Sequence, residues 1–243
     1  MPEKRPCPPP YSPPVEEKES MKIVGLTGGI ASGKSTVSKM IQRHRIPVID
    51  ADYLARKVVE PGKPAYNLII RNFSKDILLS DGTLDRTKLG NIIFSNEDKR
   101  KLLNRCVHPF IRREIFKLVV WYWIKGESLV VLDAPLLIEG KLHKYMSANI
   151  VVYCSEQLQI NRMMRRDGLS EQSARERIAA QMPIKEKVRY ADYVIDNSGD
   201  LSETERQVNQ IVAKIKPTLW NWLLTWLLPP VAAAYGLLHL VNR

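Results

Sequence analysis

Gly28-Gly29-Ile30-Ala31-Ser32-Gly33-Lys34-Ser35 is the stretch on which the reading of this chain turns. Its spacing is Gly-x-x-x-x-Gly-Lys-Ser, and that spacing has a physical reason. A loop that wraps a phosphate with backbone N–H groups needs glycines for torsions other residues avoid, and it must open into a helix whose N-terminus favours an anion. The lysine then reaches the β- and γ-phosphates, and the serine hydroxyl a Mg²⁺ ion. Here those residues are Lys34 and Ser35. A nucleoside triphosphate is therefore the expected ligand, and Gly28, Gly29, Ile30, Ala31, Ser32, Gly33, Lys34, Ser35 and Thr36 its expected binding set. The context agrees: the β-branched pair Ile23-Val24 stands in an apolar run over 22–27, and Val37, Met40 and Ile41 recur at helical spacing after the loop.

Short apolar runs continue outward at 47–50, 129–133, 148–154 and 193–196, alternating with helical patterns over 34–44, 111–125, 156–166, 171–181 and 202–216. Runs that are apolar without alternation are strands buried on both faces. The expected fold class is therefore α/β, a parallel sheet flanked by helices. Gly126 and Gly168 read as helix stops.

A phosphate loop alone does not separate a kinase from a GTPase or a motor ATPase. The sequence has no Asn-Lys-x-Asp after a late strand to read guanine, whereas acidic residues after the second strand and clustered arginines late in the chain fit a small-molecule kinase. The run Val48-Ile49-Asp50-Ala51-Asp52 ends the second strand and puts carboxylates at the carboxyl edge of an open parallel sheet, beside the loop. Asp52 is the expected base toward an acceptor hydroxyl, with Asp50 read as buried in the strand end. The other reading of Asp52 is an N-cap for a helix over 53–59. Asp133 reads either as a carboxylate that holds Mg²⁺ through water or as a polar strand terminus. Arg162, Arg165 and Arg166 share one helix face, which suits a mobile lid that neutralises a transferred phosphoryl group or a merely solvated surface. His108-Pro109 reads as preceding a helix that carries Arg112 and Arg113 in its first turn.

Composition narrows the class further. With 243 residues, 44% hydrophobic and 26% charged, the chain suits one globular α/β domain with extra segments at its ends. Cys7, Cys106 and Cys154 are scattered and odd in number, which argues against a disulfide framework or a zinc site and for a reducing, intracellular compartment. The net charge of +11 is dispersed along helix-like segments rather than gathered in a nucleic-acid motif, so an anionic small substrate is expected and a nucleic-acid partner is not. Residues 1–20 hold seven prolines and read as a disordered extension. Residues 217–243 are almost uncharged and rich in tryptophan and leucine, with Pro229-Pro230 in the middle. Two readings fit this tail: a membrane anchor or in-plane helix, and a hydrophobic hairpin packed on the domain or on a partner. The first places the protein on an organelle facing the cytosol, such as the mitochondrion or peroxisome, and the second leaves it cytoplasmic.

Taken together, these residues resemble the dephospho-coenzyme A kinases. The resemblance runs from Met21 to about Lys216 through Leu26-Thr27-Gly28-Gly29-Ile30, Val48-Ile49-Asp50-Ala51-Asp52, Asp81-Gly82-Thr83-Leu84-Asp85-Arg86 and His108-Pro109. It continues through Pro135-Leu136-Leu137-Ile138-Glu139, Arg162 with Arg166-Asp167, Ala180-Gln181 and Val194-Ile195-Asp196-Asn197-Ser198-Gly199. It implies a P-loop kinase with a five-stranded parallel sheet, a helical substrate region over about 53–125 and a lid over about 162–182. It also implies phosphorylation of the ribose 3′-hydroxyl of dephospho-CoA by ATP. Asp52 is then the base, Lys34, Arg162 and Arg166 serve the transferred group, and Ser35 and Asp133 hold Mg²⁺. Asn197 falls near adenine, with Arg86 and His108 on the acceptor side. Two alternatives stay open: another nucleoside or nucleotide kinase, and a membrane-tethered nucleotide-binding adaptor without acceptor turnover.

Overall fold

The computed structural model describes residues 21–216; the readings of 1–20 and 217–243 lie outside the described residues. Five strands, β1 (Lys22–Gly28), β2 (Val48–Asp50), β3 (Leu129–Asp133), β4 (Ala148–Tyr153) and β5 (Tyr193–Asp196), form one parallel sheet in the order β2-β3-β1-β4-β5. The central strand β1 pairs Val24 with Val131 of β3 on one side and with Ala148 of β4 on the other. The chain leaves β1 for β2 by stepping over β3, and leaves β3 for β4 by stepping over β1. The mouth of β1 is thus the switch point at which an open parallel sheet leaves a crevice.

Alternation along the strands sorts the core into two layers. Val24, Leu26, Leu129, Val131, Ile150 and Val152 meet Val37, Met40 and Ile41 of α1 (Lys34–Arg43) and Val208, Ile211, Val212 and Ile215 of α9 (Leu201–Ile215). On the other face Val130 and Leu132 meet Leu54 of α2 (Ala51–Lys57), Leu137, and the Ile115, Leu118, Val119 and Tyr122 side of α5 (Glu97–Ile124). Gly25 turns to this second face, where only glycine fits, since a Cβ would stand 2.4 Å from a Leu137 methyl.

A separate apolar cluster lies outside the sheet. Tyr66, Ile69 and Phe73 of α3 (Pro64–Phe73), Leu89 of α4 (Arg86–Ser95) and Cys106 of α5 pack together with Ile77 and Leu84. Here the structure corrects the sequence reading: Pro109 does not precede a helix but sits inside the 28-residue α5. The helix starts at Asn96, whose side-chain oxygen accepts the Lys99 N–H at 3.0 Å, with Glu97 and Asp98 in the first turn. Proline removes one helical hydrogen bond. Leu102, Leu103, Cys106 and Val107 dock α5 upstream of it onto the α3–α4 cluster, and Ile115 to Tyr122 dock it downstream onto the sheet, so packing on both sides holds the helix through the gap.

The remaining helices are α6 (Glu156–Asp167), α7 (Glu171–Ala179) and the single turn α8 (Ile184–Lys187). Ile160 and Met163 of α6 and Ala174 of α7 bury one another against Ile30 and Ala31 of the Gly28–Ser35 loop. This contact ties the expected lid to the loop. Among the described residues no helix is long and apolar enough to cross a membrane.

Candidate active site

The Gly28–Ser35 loop turns through two left-handed residues, Ala31 (φ 55°) and Gly33 (φ 88°), before α1 begins. At Gly33 both the torsion and the space demand glycine, since a Cβ would stand 2.0 Å from the Asn197 amide nitrogen. No side chain caps α1, so the first amides of the helix face outward, where an anion satisfies them.

What fixes the loop is the fate of its carbonyls. Gly28 O lies 3.4 Å from Lys187 Nζ, Gly29 O accepts the Ser32 N–H at 3.1 Å, and Ile30 O accepts Gln159 Nε2 at 2.8 Å. Ala31 O faces Arg162 Nη1 at 3.5 Å, Ser32 O accepts Asn197 Nδ2 at 2.7 Å, and Gly33 O accepts the Thr36 N–H at 2.9 Å. The carbonyls of Gly28, Ile30, Ala31 and Ser32 thus turn to side-chain donors from other elements, and those of Gly29 and Gly33 to the N–H groups of Ser32 and Thr36, which leaves the other N–H groups of the loop for an anion. Buried backbone acceptors must find partners, and this arrangement satisfies them without occupying the anion site.

In front of the loop lies an open cleft of about 1060 Å³, lined by Gly28 to Thr36 together with Asp52, Pro135, Leu136, Arg162, Arg165, Arg166, Gln181 and Asn197. Every contributor comes from the carboxyl edge of the sheet or from the α6–α7 segment. Asp52 stands at the cleft as expected, whereas Asp50 departs from the buried strand-end position expected of it. Asp50 is exposed rather than buried, and its Oδ1 accepts the Tyr53 N–H at 2.9 Å as the N-cap of α2. Asp52 lies in the first turn of that helix with its carboxylate open to the cleft.

Lys34 Nζ is paired with Asp133 Oδ1 at the end of β3. Burial pushes the Asp133 carboxyl above the usual carboxylate range, against the opposing pull of Lys34. Asp133 does not line the cleft itself but stands behind Lys34, so it is more than a polar strand end. The arginines divide by role. Arg162 donates to the carbonyls of Ser32 at 3.3 Å and Asn197 at 2.8 Å, which makes it a strut of the loop. Arg166 forms a two-pronged pair with Asp167 at 2.7 and 2.9 Å. Arg165 lines the cleft with no partner among the described residues.

Asn197 lines the cleft, but its side chain is committed: Nδ2 holds Ser32 O, and Oδ1 accepts the Thr204 hydroxyl at 2.9 Å. Arg86 and His108 are exposed on α4 and α5 and are not among the residues that line the cleft. Partial burial and the Arg112 charge hold the His108 imidazole below its ordinary pKa.

Sequence reasoning missed Gln159, Thr204 and Lys187, all buried and all serving the loop. One signal was available for Gln159, which shares a helix face with Arg162 and the buried Met163.

The residues that could hold a Mg²⁺ ion are Ser35, whose exposed hydroxyl stands at the start of α1, and Asp133, whose buried carboxylate is paired with Lys34 behind the cleft; both offer hard oxygens. Among the described residues no cluster of three or more His, Cys, Asp or Glu forms a metal cage. That composition fits an ion held chiefly by nucleotide phosphates, as Mg²⁺ in kinases commonly is.

The family model described as dephospho-CoA kinase matches residues 22–203. The chain belongs to the dephospho-CoA kinase family. It is 50% identical over 196 residues to a zebrafish (Danio rerio) dephospho-CoA kinase domain-containing protein, covering 80% of this chain and 86% of that one. It is 49% identical over 199 residues to the dephospho-CoA kinase of Bacillus thuringiensis subsp. konkukian, covering 82% of this chain and 97% of that one. The solved dephospho-CoA kinase of Campylobacter jejuni superposes with a TM-score of 0.61 at 27% identity, covering 80% of this chain and 96% of that one. Within the family frame, the phosphate loop, the cleft-facing Asp52 and the arginine-bearing α6 stand around one cleft, as a phosphoryl transferase requires.

Proposed function

We propose that this chain transfers the γ-phosphoryl group of ATP to the ribose 3′-hydroxyl of dephospho-CoA, giving coenzyme A and ADP, the final step of coenzyme A synthesis. The observation that carries this reading is the shared cleft of a complete phosphate loop and Asp52, in a chain so similar to dephospho-CoA kinases along nearly their whole length. The 3′-oxygen attacks the γ-phosphorus, its proton passes to the Asp52 carboxylate, and the bond from phosphorus to the β,γ-bridging oxygen breaks so that ADP leaves. Loop amides and Lys34 hold the phosphates. Asp133, paired with Lys34, orients that ammonium. Arg165 and Arg166 neutralise the transferred group from the lid side, and Arg162 acts by keeping the loop in shape as well as by its charge. Mg²⁺, where bound through Ser35 and Asp133, supplies further neutralisation of the β- and γ-oxygens.

The region over 53–125, with its own apolar cluster carrying Arg86 and His108, is the proposed acceptor side, and the segment 162–182 the proposed lid. Closure of these parts over the cleft is the route by which Arg86 and His108 would approach an acceptor. For the tail, we propose that residues 217–243 associate with a membrane, a reading supported by their tryptophan-rich apolar sequence flanked by Lys214, Lys216 and Arg243.

The test is chromatographic detection of coenzyme A after the purified full chain is incubated with Mg²⁺–ATP and dephospho-CoA, beside other nucleosides and nucleotides. Product from dephospho-CoA alone is expected, with Lys34→Ala losing nearly all turnover. Product only from another acceptor would reassign the substrate, and ATP binding with no acceptor consumed would indicate an adaptor.

A further inference from the structure

The Lys187 side chain, on α8, is the largest fully buried one in the described chain, at 0% exposure. Its ammonium lies 2.9 Å from Pro135 O, 3.4 Å from Gly28 O and 2.9 Å from Glu139 Oε1. Gly28 opens the phosphate loop, Pro135 and Leu136 form the facing wall of the cleft after β3, and α8 follows directly on the α6–α7 segment, whose Gln181 also lines the cleft. One charged nitrogen therefore joins three elements that meet at the cleft. The Thr27 hydroxyl donates to the same Pro135 carbonyl at 3.0 Å, so the wall is held twice from the same side. Glu139 supplies the compensating charge as an ion pair, its two buried oxygens having no hydrogen-bond partner.

Stability alone does not call for this arrangement. A buried ion pair loses much of its Coulombic attraction to desolvation, and apolar residues of similar volume often serve as well or better. What apolar residues cannot do is hold two carbonyls at a fixed separation. We propose that Lys187 is a positioning residue that sets the width of the cleft, clamping the Gly28 carbonyl of the phosphate loop to the Pro135 carbonyl of the facing wall, with Glu139 as its counter-ion. The inference rests on the phosphoryl-transfer reading above. In-line transfer is sensitive to such spacing: a misplacement of about 1 Å costs on the order of 10²-fold in rate.

The experiment is the double variant Lys187→Met/Glu139→Leu in the full chain, with melting temperature, equilibrium ATP affinity and kcat for dephospho-CoA measured beside the wild type, and its crystal structure solved. The expected result is a cooperatively folded variant with ATP affinity nearly unchanged, kcat per folded molecule lower by about tenfold or more, and a wider separation of the Gly28 and Pro135 carbonyl oxygens. Wild-type kcat in the folded variant would overturn the proposal. So would a lowered melting temperature with normal kcat per folded molecule, or a loss confined to ATP binding. Should the double variant fail to fold, Glu139→Gln keeps the shape and the ammonium and is expected to lower kcat by a smaller factor at unchanged ATP affinity; unchanged kcat there overturns the clamp. A wild type inactive on dephospho-CoA would count against the substrate reading instead, and the carbonyl separation in the variant crystal would still decide the clamp.

Discussion

Two carboxylates two residues apart do different work here because one is already engaged. Asp50 accepts the Tyr53 N–H and so closes the start of α2, whereas Asp52, a half-turn on, keeps its oxygens for the cleft. Substitution separates the two roles. Asp52→Asn preserves shape and removes the proton acceptor, so kcat should fall by roughly 10²-fold or more while equilibrium ATP affinity stays within a few-fold; isothermal titration beside steady-state kinetics measures both. Asp50→Ala should instead lower stability by about 1 kcal/mol through loss of the cap, with a proportionally small effect on kcat of the folded enzyme. The sequence placed both aspartates at the right edge of the sheet and gave the cleft to Asp52, as the structure does, but it read Asp50 as buried in the strand end and left the cap as the other reading of Asp52, whereas Asp50 is the exposed cap. A capping oxygen is decided by one backbone torsion at the strand end, and neither residue type nor spacing reports that torsion.

At the scale of elements, the strand–loop–helix unit, all five strands and α1 were legible, because buried parallel strands are apolar without interruption and the loop punctuates them. Most boundaries differ by no more than a residue. Helix α5 was legible only after its proline, over 111–125, and not over 97–110: the rule that proline starts or breaks a helix competes with packing, and here packing onto two separate apolar clusters wins. That conclusion makes a prediction. Pro109 is exposed on α5, so Pro109→Ala restores a backbone donor without disturbing a core contact. Thermal and denaturant unfolding should show stabilisation of about 1–2 kcal/mol, the gain in helical propensity less the added freedom of the unfolded chain, with turnover of dephospho-CoA unchanged. A loss of stability would mean that the fold needs the missing hydrogen bond at this point. The supports behind the phosphate loop escaped the sequence for a related reason. Gln159, Thr204 and Lys187 are polar residues on otherwise ordinary helices, and only the closure of α6, α8 and α9 around the loop brings their donors within reach of its carbonyls or of Asn197.

Across the whole molecule the sheet sets a direction. The cleft opens at the carboxyl ends of the strands, while α9 runs back and ends at the opposite edge, where the Lys216 ammonium reaches the His44 carbonyl at 3.5 Å beyond the end of α1. The C-terminal end of α5 reaches this same edge, because it turns directly into β3, and exposes Trp121, Trp123 and Ile124 there beside Lys125. The described chain therefore ends, at Lys216, on the edge away from the active site, and that edge carries an aromatic and basic rim of the kind that suits a bilayer interface. Membrane association through residues 217–243 would leave the mouth of the cleft facing water. The full chain should consequently float with phospholipid vesicles in a density gradient, and a chain ending at Lys216 should stay in the soluble fraction. Turnover per molecule should be the same in both, because neither ATP nor dephospho-CoA would have to pass the bilayer to reach the loop. Flotation of both forms would move the attachment to the folded domain. Flotation of neither would assign the tail to packing against protein. A bound form with much reduced turnover would mean that the cleft, rather than the opposite edge, lies against the lipid.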